Sequence, residues 1–389
     1  MPHWWHKEES LKIEEYELGQ LLSYEQPTPY IVESTKYNDA YKTPVLTAGK
    51  SFIIGYTDET DGVYTKLPVI IFDDFTTSTQ YVNFNFKVKS SAMKILTANT
   101  SLVLPKYIFY QMQIINFDHS THKRYWIQQY SKIKVKIPPL SVQEQVVRKI
   151  EELFSELDNG VETLQTIKEQ LAVYRQAMLT SLYPEMTSEN TVQLDSIAEI
   201  TGGITKGRRL DRSETIQLPY LRVANVQNGY LDLNEIKTIE LKHSEREKYL
   251  LKYGDVLYTE GGDRDKLGRG TIWKNEIKEC VHQNHVFKAR IDKKHALPQY
   301  VSYWSMSIPA RNYFYVKGKQ SVNLASINKT ILSALPLPLP SLDTQKKIVT
   351  KIEDRFSVCD SIEQTVDAAL AQAEAMRQSI LKKAFEGGL

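Results

Sequence analysis

IPPLSVQEQVVRKIEELFSELD, residues 137–158, returns 202 residues later, without a gap, as LPSLDTQKKIVTKIEDRFSVCD, residues 339–360. Pro138, Leu140, Gln143, Lys149, Ile150, Glu151, Phe154, Ser155 and Asp158 reappear as Pro340, Leu342, Gln345, Lys351, Ile352, Glu353, Phe356, Ser357 and Asp360. The offset persists to RQAML (Arg175–Leu179) and RQSIL (Arg377–Leu381). Such a duplication divides the chain into two copies of one unit, each a variable block followed by a shared segment. The blocks are residues 1–136 and 191–338; the shared segments are 137–190 and 339–389.

Each shared segment reads as one long amphipathic helix. Steps of three and four residues place Ile150, Phe154, Leu157, Leu164, Leu171 and Met178 on a single stripe, and Ile352, Phe356, Ile362, Val366, Met376 and Ile380 on another. Pro138–Pro139 and Pro340 precede the starts, where a missing amide hydrogen costs least, and Pro184 and Gly387–Gly388 follow the ends. Gly160 interrupts the first helix, where a bend is expected. At ~1.5 Å per residue each helix runs roughly 60 Å, longer than one globular core is wide. A stripe of that length needs a helical partner, and the duplicate supplies it as an antiparallel coiled coil. The fold class expected is therefore α+β: two similar mixed α/β domains separated by two long antiparallel helices, with a pseudo-twofold internal repeat.

The 389 residues are 41% hydrophobic and 25% charged, ordinary globular material with room for more than one core. No run of 18 apolar residues is present, so no membrane span is expected. The opening MPHWWHKEES lacks the pattern of a secretion signal, and two distant cysteines, Cys280 and Cys359, form no disulfide framework, which points to the cytoplasm. The net charge of +2 is unevenly distributed: residues 191–340 hold an excess of seven cations, whereas the shared segments are neutral to acidic. A polyanion would meet the blocks rather than the helices.

The blocks follow one plan with different letters. YELGQLL (Tyr16–Leu22) is answered by VQLDSIAEI (Val192–Ile200), PVLTAG (Pro44–Gly49) by PYLRVANV (Pro219–Val226), and PVIIFDD (Pro68–Asp74) by GDVLYTEGG (Gly254–Gly262). The alternating run YVNFNFKVK (Tyr81–Lys89) reads as a half-buried strand matching HVFKARI (His285–Ile291), and LPKYIFYQMQ (Leu104–Gln113) as a helix whose start is echoed by LPQYVSYW (Leu297–Trp304).

Two diverged blocks, each followed by a P-x-L-x-x-Q-x-x-(I/V)-V-x-K-I-E-x-x-F helix, resemble the specificity subunits of type I restriction-modification systems. The likeness covers essentially the whole chain and is strongest at Pro138–Phe154 and Pro340–Phe356. It implies that each block is a target recognition domain reading half of a bipartite double-stranded DNA sequence. The helices would set the spacing and dock two modification subunits, which carry S-adenosylmethionine and methylate adenine. Restriction subunits would add ATP- and Mg-dependent translocation and cleavage, so this phage-defence component would hold no cofactor of its own. The first block departs from the pattern in lacking a counterpart to the basic TKGRR (Thr205–Arg209).

Base and phosphate contacts call for Arg, Lys, Asn and Gln on exposed loops. In the second block the candidates are Lys206, Arg208, Arg209, Arg222, Asn225, Gln227, Asn228, Arg264, Lys266, Arg269, Lys317, Lys319 and Gln320. In the first they are Lys50, Thr76, Thr77, Ser78, Gln80, Lys123, Arg124 and Tyr125. Cys280, His282 and His285 lack a fourth ligand at zinc-like spacing, as do His119 and His122, so no metal is expected. No G-x-x-x-x-G-K-[ST] phosphate cradle and no Asn or Asp before Pro138–Pro139 argue against ATP use or methyl transfer by this chain. The competing readings are a methyltransferase or nuclease acting alone, through strings such as Asp263, Glu276 and Lys278, and a coiled-coil adaptor without a nucleic-acid role.

Overall fold

The structure, a computed structural model, describes residues 12–48, 51–118, 124–210, 214–320 and 325–387. The chain divides into two compact units: Met1–Leu164 with Ala368–Leu389, and Gln165–Asp367. Both boundaries fall inside long helices, so each unit holds one variable block and one half of each shared helix.

In the first unit β1 (Glu14–Glu17), the helical turn α1 (Leu18–Leu21) and β2 (Leu22–Glu25) open the block. Then come β3 (Thr43–Leu46), β4 (Ile53–Thr57), β5 (Val69–Asp73), β6 (Thr79–Val82), β7 (Lys87–Val88) and β8 (Met93–Ala98). Helix α2 (Pro105–Met112), β9 (Lys134–Ile137) and the long α3 (Leu140–Leu182) follow. The strands form a four-stranded sheet β2-β8-β5-β6, a three-stranded sheet β4-β3-β7 and the pair β1-β9. Leu18, Leu21, Phe72, Ile108, Trp126 and Tyr130 pack under the larger sheet, against Val146, Ile150, Leu381 and Ala384 of the shared helices.

The second unit repeats this. β10 (Thr191–Gln193), β11 (Ala198–Thr201), β12 (Thr215–Leu221), β13 (Lys237–Lys242), the turn α4 (Arg246–Tyr249) and β14 (Val256–Thr259) come first. β15 (Gly261–Gly262), β16 (Gly270–Ile272), β17 (Val281–His282) and β18 (Val286–Ile291) follow. Then come α5 (Pro298–Met306), α6 (Ile308–Lys317), β19 (Lys319–Gln320), β20 (Ala325–Ser326), α7 (Lys329–Ser333), β21 (Pro336–Pro338) and α8 (Leu342–Glu386). The sheets are β11-β18-β14-β16, β13-β12-β17 and the pair β10-β21, the same order and directions strand for strand, including the parallel β3–β7 and β12–β17 contacts. The small sheet β15-β20-β19 is described in this unit alone.

The duplicated topology corrects one alignment made from sequence. YVNFNFKVK is not a single strand: Asn83–Asn85 leave the sheet exposed between β6 and β7. Phe86 turns inward to stack on Tyr64, ring centroids 5.0 Å apart. The true counterpart of β18 is β8, whose buried Lys94 opposes the buried carboxylate of Asp74 at 3.3 Å. Helix α3 is continuous through Gly160, because a glycine on an exposed, uncrowded face loses only its intrinsic helix preference.

The shared helices pair antiparallel. In the second unit Arg175 meets Asp360 at 2.6 Å and Lys168 meets Asp367 at 2.7 Å, so seven residues down one helix match seven residues up the other. In the first unit Arg377 meets Asp158, the same pair with the helices exchanged. Every seventh residue faces the seam: Ile150, Leu157, Leu164, Leu171 and Met178 on α3; Ile352, Cys359, Val366, Ala373 and Ile380 on α8. This heptad spacing is that of a coiled coil. Two residues assigned to the stripe from sequence, Ile362 and Met376, are 40% and 45% exposed, because steps of 3.6 drift off a seam that repeats at 3.5; Cys359 and Ala373 take the inner places.

Candidate nucleic-acid interface

A buried glutamine joins each block to its helix. Gln143, fully buried at the start of α3, accepts from the Leu104 amide at 2.8 Å and donates to the carbonyls of Leu102 at 2.9 Å and Pro138 at 2.8 Å. Gln345 on α8 makes the same three contacts with Leu297 (2.9 Å), His295 (3.1 Å) and Pro340 (2.9 Å). In both, the amide held is that of the leucine before a helix-opening proline, which otherwise has no intrahelical partner.

Further along each helix pair lies a cleft built from the repeat. In the second unit Glu353, Phe356, Ser357 and Asp360 of α8, Arg175 and Gln176 of α3 and Tyr303 of α5 line a cleft of about 790 Å³. In the first unit Glu151, Phe154, Ser155 and Asp158, with Arg377, Gln378 and Tyr110, line one of about 530 Å³. Each arginine lies over the phenylalanine, Arg175 at 5.6 Å from Phe356 and Arg377 at 4.4 Å from Phe154. Each phenylalanine takes a tyrosine edge-on, at 5.8 Å from Tyr303 and 5.7 Å from Tyr110. Burial, with the nearby Glu353 and Asp360 carboxylates, pushes the Tyr303 hydroxyl up to about 12, so it stays a neutral donor. The clefts also differ: Lys106 engages Glu151 in the first, where the aligned residue of the second block is Gln299, and Asn228, Tyr230 and Lys274 line the second alone.

The candidate DNA contacts fall into three groups. Arg208 is bidentate to Glu245 at 2.8 and 3.0 Å, and this hydrogen bonding holds the carboxyl below its usual range. Arg222 binds the Glu235 carboxylate and carbonyl at 3.0 and 2.9 Å, and Lys266 sits 2.5 Å from Asp263. These three side chains are already neutralised. Lys206, 5.3 Å from the Tyr220 ring, and Arg209, Lys317 and Lys319 are exposed, with no ion pair among the described residues. Arg269 is intermediate: its Nη1 donates to Gln227 Oε1 at 2.9 Å, while Gln227 Nε2 is fixed on the Ala224 carbonyl at 2.8 Å, beside half-buried Asn228.

Two candidates are structural. Asn225 is 2% exposed; it accepts the Arg222 amide and donates to the Asp232 and Glu235 carbonyls, completing its own turn. Tyr125 is fully buried against Phe117, 4.9 Å away, because the segment after α2 folds it under β5. In the first unit Thr76, Ser78 and Gln80 are exposed around the β5–β6 turn, Thr77 takes a left-handed φ of 56°, and Arg124 is exposed. Lys50 and Lys123, with His119 and His122, lie outside the described residues, as does the side chain of Gln320.

No cluster of three metal-ligating side chains occurs among the described residues. Cys280 is buried, and His282 lies in the core, where burial lowers its pKa to about 4. His285 turns outward to Glu260 at 2.5 Å. No described helix is long and apolar enough to cross a membrane.

Residues 187–372 match the type I restriction modification DNA specificity domain. The EcoR124I/EcoR124II specificity subunit of Escherichia coli is 30% identical over 388 residues, covering 95% of this chain and 92% of that one. The chain belongs to the type I restriction enzyme specificity subunits. Among other members, the EcoKI specificity subunit of Escherichia coli K12 is 28% identical over 275 residues, 67% of this chain and 58% of its own length. In fold, this specificity subunit is similar to a chain from a solved structure titled for complex assembly and conformational transition of the type I R-M system. That match has a TM-score of 0.68 at 16% identity and covers 98% of this chain and all of that one.

Proposed function

We propose that this chain is the DNA-reading and assembling component of a type I restriction-modification complex and performs no chemistry itself. Each variable block reads one half of an asymmetric bipartite duplex sequence. Lys206, Arg209, Lys317 and Lys319 supply the charge that neutralises phosphates, while Arg269, oriented by Gln227, presents donors to a base edge. Arg208 and Arg222 act at one remove, stiffening their loops through Glu245 and Glu235. The helix pair fixes the interval between half-sites and docks two copies of an adenine methyltransferase. S-adenosylmethionine, ATP and Mg belong to the modification and restriction partners, and the assembly works in the cytoplasm.

The duplicated cleft carries this reading. Arg, Gln, Glu, Phe, Ser and Asp recur at both sites on blocks whose loops have diverged, as expected if two copies of one partner bind while two different sequences are read. The test is co-expression with the modification subunit. The assembly should contain two modification subunits per chain and methylate adenine in one split sequence. Phe154→Asp and Phe356→Asp should each remove one modification subunit, read by native mass spectrometry. Methylation or cutting of DNA by the isolated chain, given S-adenosylmethionine or Mg, would refute the proposal.

A further inference from the structure

Among the described residues, each unit exposes one aromatic ring with an arginine over its face, and the two arrangements occupy corresponding places in the fold. In the first unit the ring is Phe75, on the β5–β6 turn, 45% exposed, with the Arg124 guanidinium 6.0 Å from its centroid. The turn beneath is clamped. Asp73 Oδ1 accepts the amides of Phe75 and Thr76 at 2.8 and 3.2 Å. Buried Asp74 accepts the amides of Tyr125 and Trp126 at 3.0 and 2.8 Å. The ring is thus held on a clamped turn with nearly half of its surface left open to solvent.

In the second unit the ring is Tyr315, 48% exposed, next to Val316 at 70%. Arg264, on the connection leaving β14, stacks 4.6 Å over it and donates from Nε to the Tyr315 carbonyl at 3.3 Å. β14 is the counterpart of β5, and α6, which carries Tyr315, occupies the same stretch between helix and closing strand as Arg124 does. Ring and cation have therefore exchanged places between the units. Common descent accounts for the shared topology but not for a pair rebuilt from non-matching residues. A shared task accounts for it.

The chemistry of that task follows from the surroundings. A ring with one face covered by a guanidinium and the other open stacks on nucleobases, whatever their identity, and the guanidinium is left near a phosphate. Apolar side chains flanked by cations, as Val316 is by Lys317 and Lys319, enter base steps and unstack them. We propose that Phe75 with Arg124, and Tyr315 with Arg264, are the elements that insert into the DNA base stack, one in each half-site. This rests on the DNA-reading function above and adds that recognition is accompanied by unstacking, which lowers the cost of withdrawing a base for modification.

The experiment uses the complex of the full chain with its modification subunit and duplexes of the methylated sequence carrying 2-aminopurine at successive positions. Binding should raise fluorescence several-fold at one step in each half-site. Phe75→Ala should abolish the rise in one half-site and Tyr315→Ala in the other, each with binding weakened about tenfold. Phe75→Trp should keep both the rise in its own half-site and the affinity. Unchanged fluorescence and affinity in both alanine variants overturns the inference while leaving the DNA-reading function intact. Loss of the modification subunit from either alanine variant also overturns it, because the ring then belongs to a protein contact. A wild-type complex that binds no duplex overturns the proposed function and this inference with it.

Discussion

Gln143→Leu is expected to loosen the first variable block from its helix. Leucine nearly matches the volume of glutamine, so no cavity opens; what disappears is a set of three hydrogen bonds in a fully buried site. Each is worth about 1 kcal/mol net, and the orphaned Leu104 amide adds a desolvation penalty of about 1–2 kcal/mol, giving a loss of roughly 4–5 kcal/mol. With a urea slope of about 2 kcal/mol per molar, the unfolding midpoint of the first unit should fall by roughly 2 M. Hydrogen-exchange mass spectrometry places the effect: protection should collapse at residues 102–106 in this variant and at 295–299 in Gln345→Leu, with little change at the reciprocal site. Gln143→Glu serves as the chemical control. A carboxylate can still accept from the Leu104 amide but has no donor for the Leu102 and Pro138 carbonyls, so it should cost at least as much as leucine. A loss under about 1 kcal/mol for both variants, or exchange rising evenly along the chain, would show that the glutamine does not join block to helix.

Three further outcomes are expected. Val366→Asp, at a buried heptad position, should cost several kcal/mol in urea titration, whereas Met376→Asp, on the open face, should change stability by no more than about 0.5 kcal/mol; equal effects would contradict the seam. The second unit should lose stability in acid through His282, whose folded pKa of about 4 lies below the ordinary value of 6.5. The unfolded chain takes up a proton between those values and the folded chain does not. The stability is therefore whole above about pH 6.5 and falls by about 3 kcal/mol as pH drops to 4. His282→Gln should flatten that slope in urea titrations run across the range. Arg269→Ala, read by the adenine-methylation pattern of the assembled complex, should relax one base in one half-site by ~1–3 kcal/mol of discrimination, whereas Arg209→Ala should weaken all sites alike and reduce the salt dependence.

The helix pair was legible because duplication shows itself in identity at constant spacing, and a heptad stripe leaves few alternatives. Even there, the sequence alone could not separate a 3.5 repeat from a 3.6 one. That ambiguity put Ile362 and Met376 on the stripe although both lie off the seam. The topology of the blocks was legible in outline, but the alternating YVNFNFKVK misled, since a run of period two is satisfied equally by a strand and by a segment that leaves the sheet and returns with Phe86 inward. Candidate cations were found by type and loop position, yet type says nothing about who neutralises them. Arg208, Arg222 and Lys266 looked equivalent to Arg209 and Lys317 until Glu245, Glu235 and Asp263 were placed beside three of them. Tyr125 and Asn225 looked exposed because their neighbours in sequence are polar; Asn225 is inside because it closes its own turn, and Tyr125 because it packs against Phe117. The ring–arginine pairs were invisible for a related reason, as each joins residues 49 or 51 positions apart.

The pattern of what is kept and what has diverged is a statement about coupling. Gln143 and Gln345 bind backbone atoms of the adjoining block, not side chains, so a block of new surface chemistry can be held by the same glutamine provided its Leu-Pro helix start is retained. The residues repeated in both clefts lie on the two helices except for one tyrosine of the block, Tyr110 or Tyr303, while unmatched block residues complete each lining: Phe109 and Gln113 in the first, Asn228, Tyr230 and Lys274 in the second. On the proposed function, partner docking would rest on the repeated residues and sequence reading on the diverged loops, with Asn228 at the border of the two. If that is the physical basis of modular specificity, grafting the loops of the second block onto the strands of the first should change the half-site read while leaving the number of modification subunits at two. A graft that keeps Leu104, Pro105, Tyr110 and Gln143 yet loses a modification subunit would show that docking depends on the loops themselves, and the separation of the two tasks would fail.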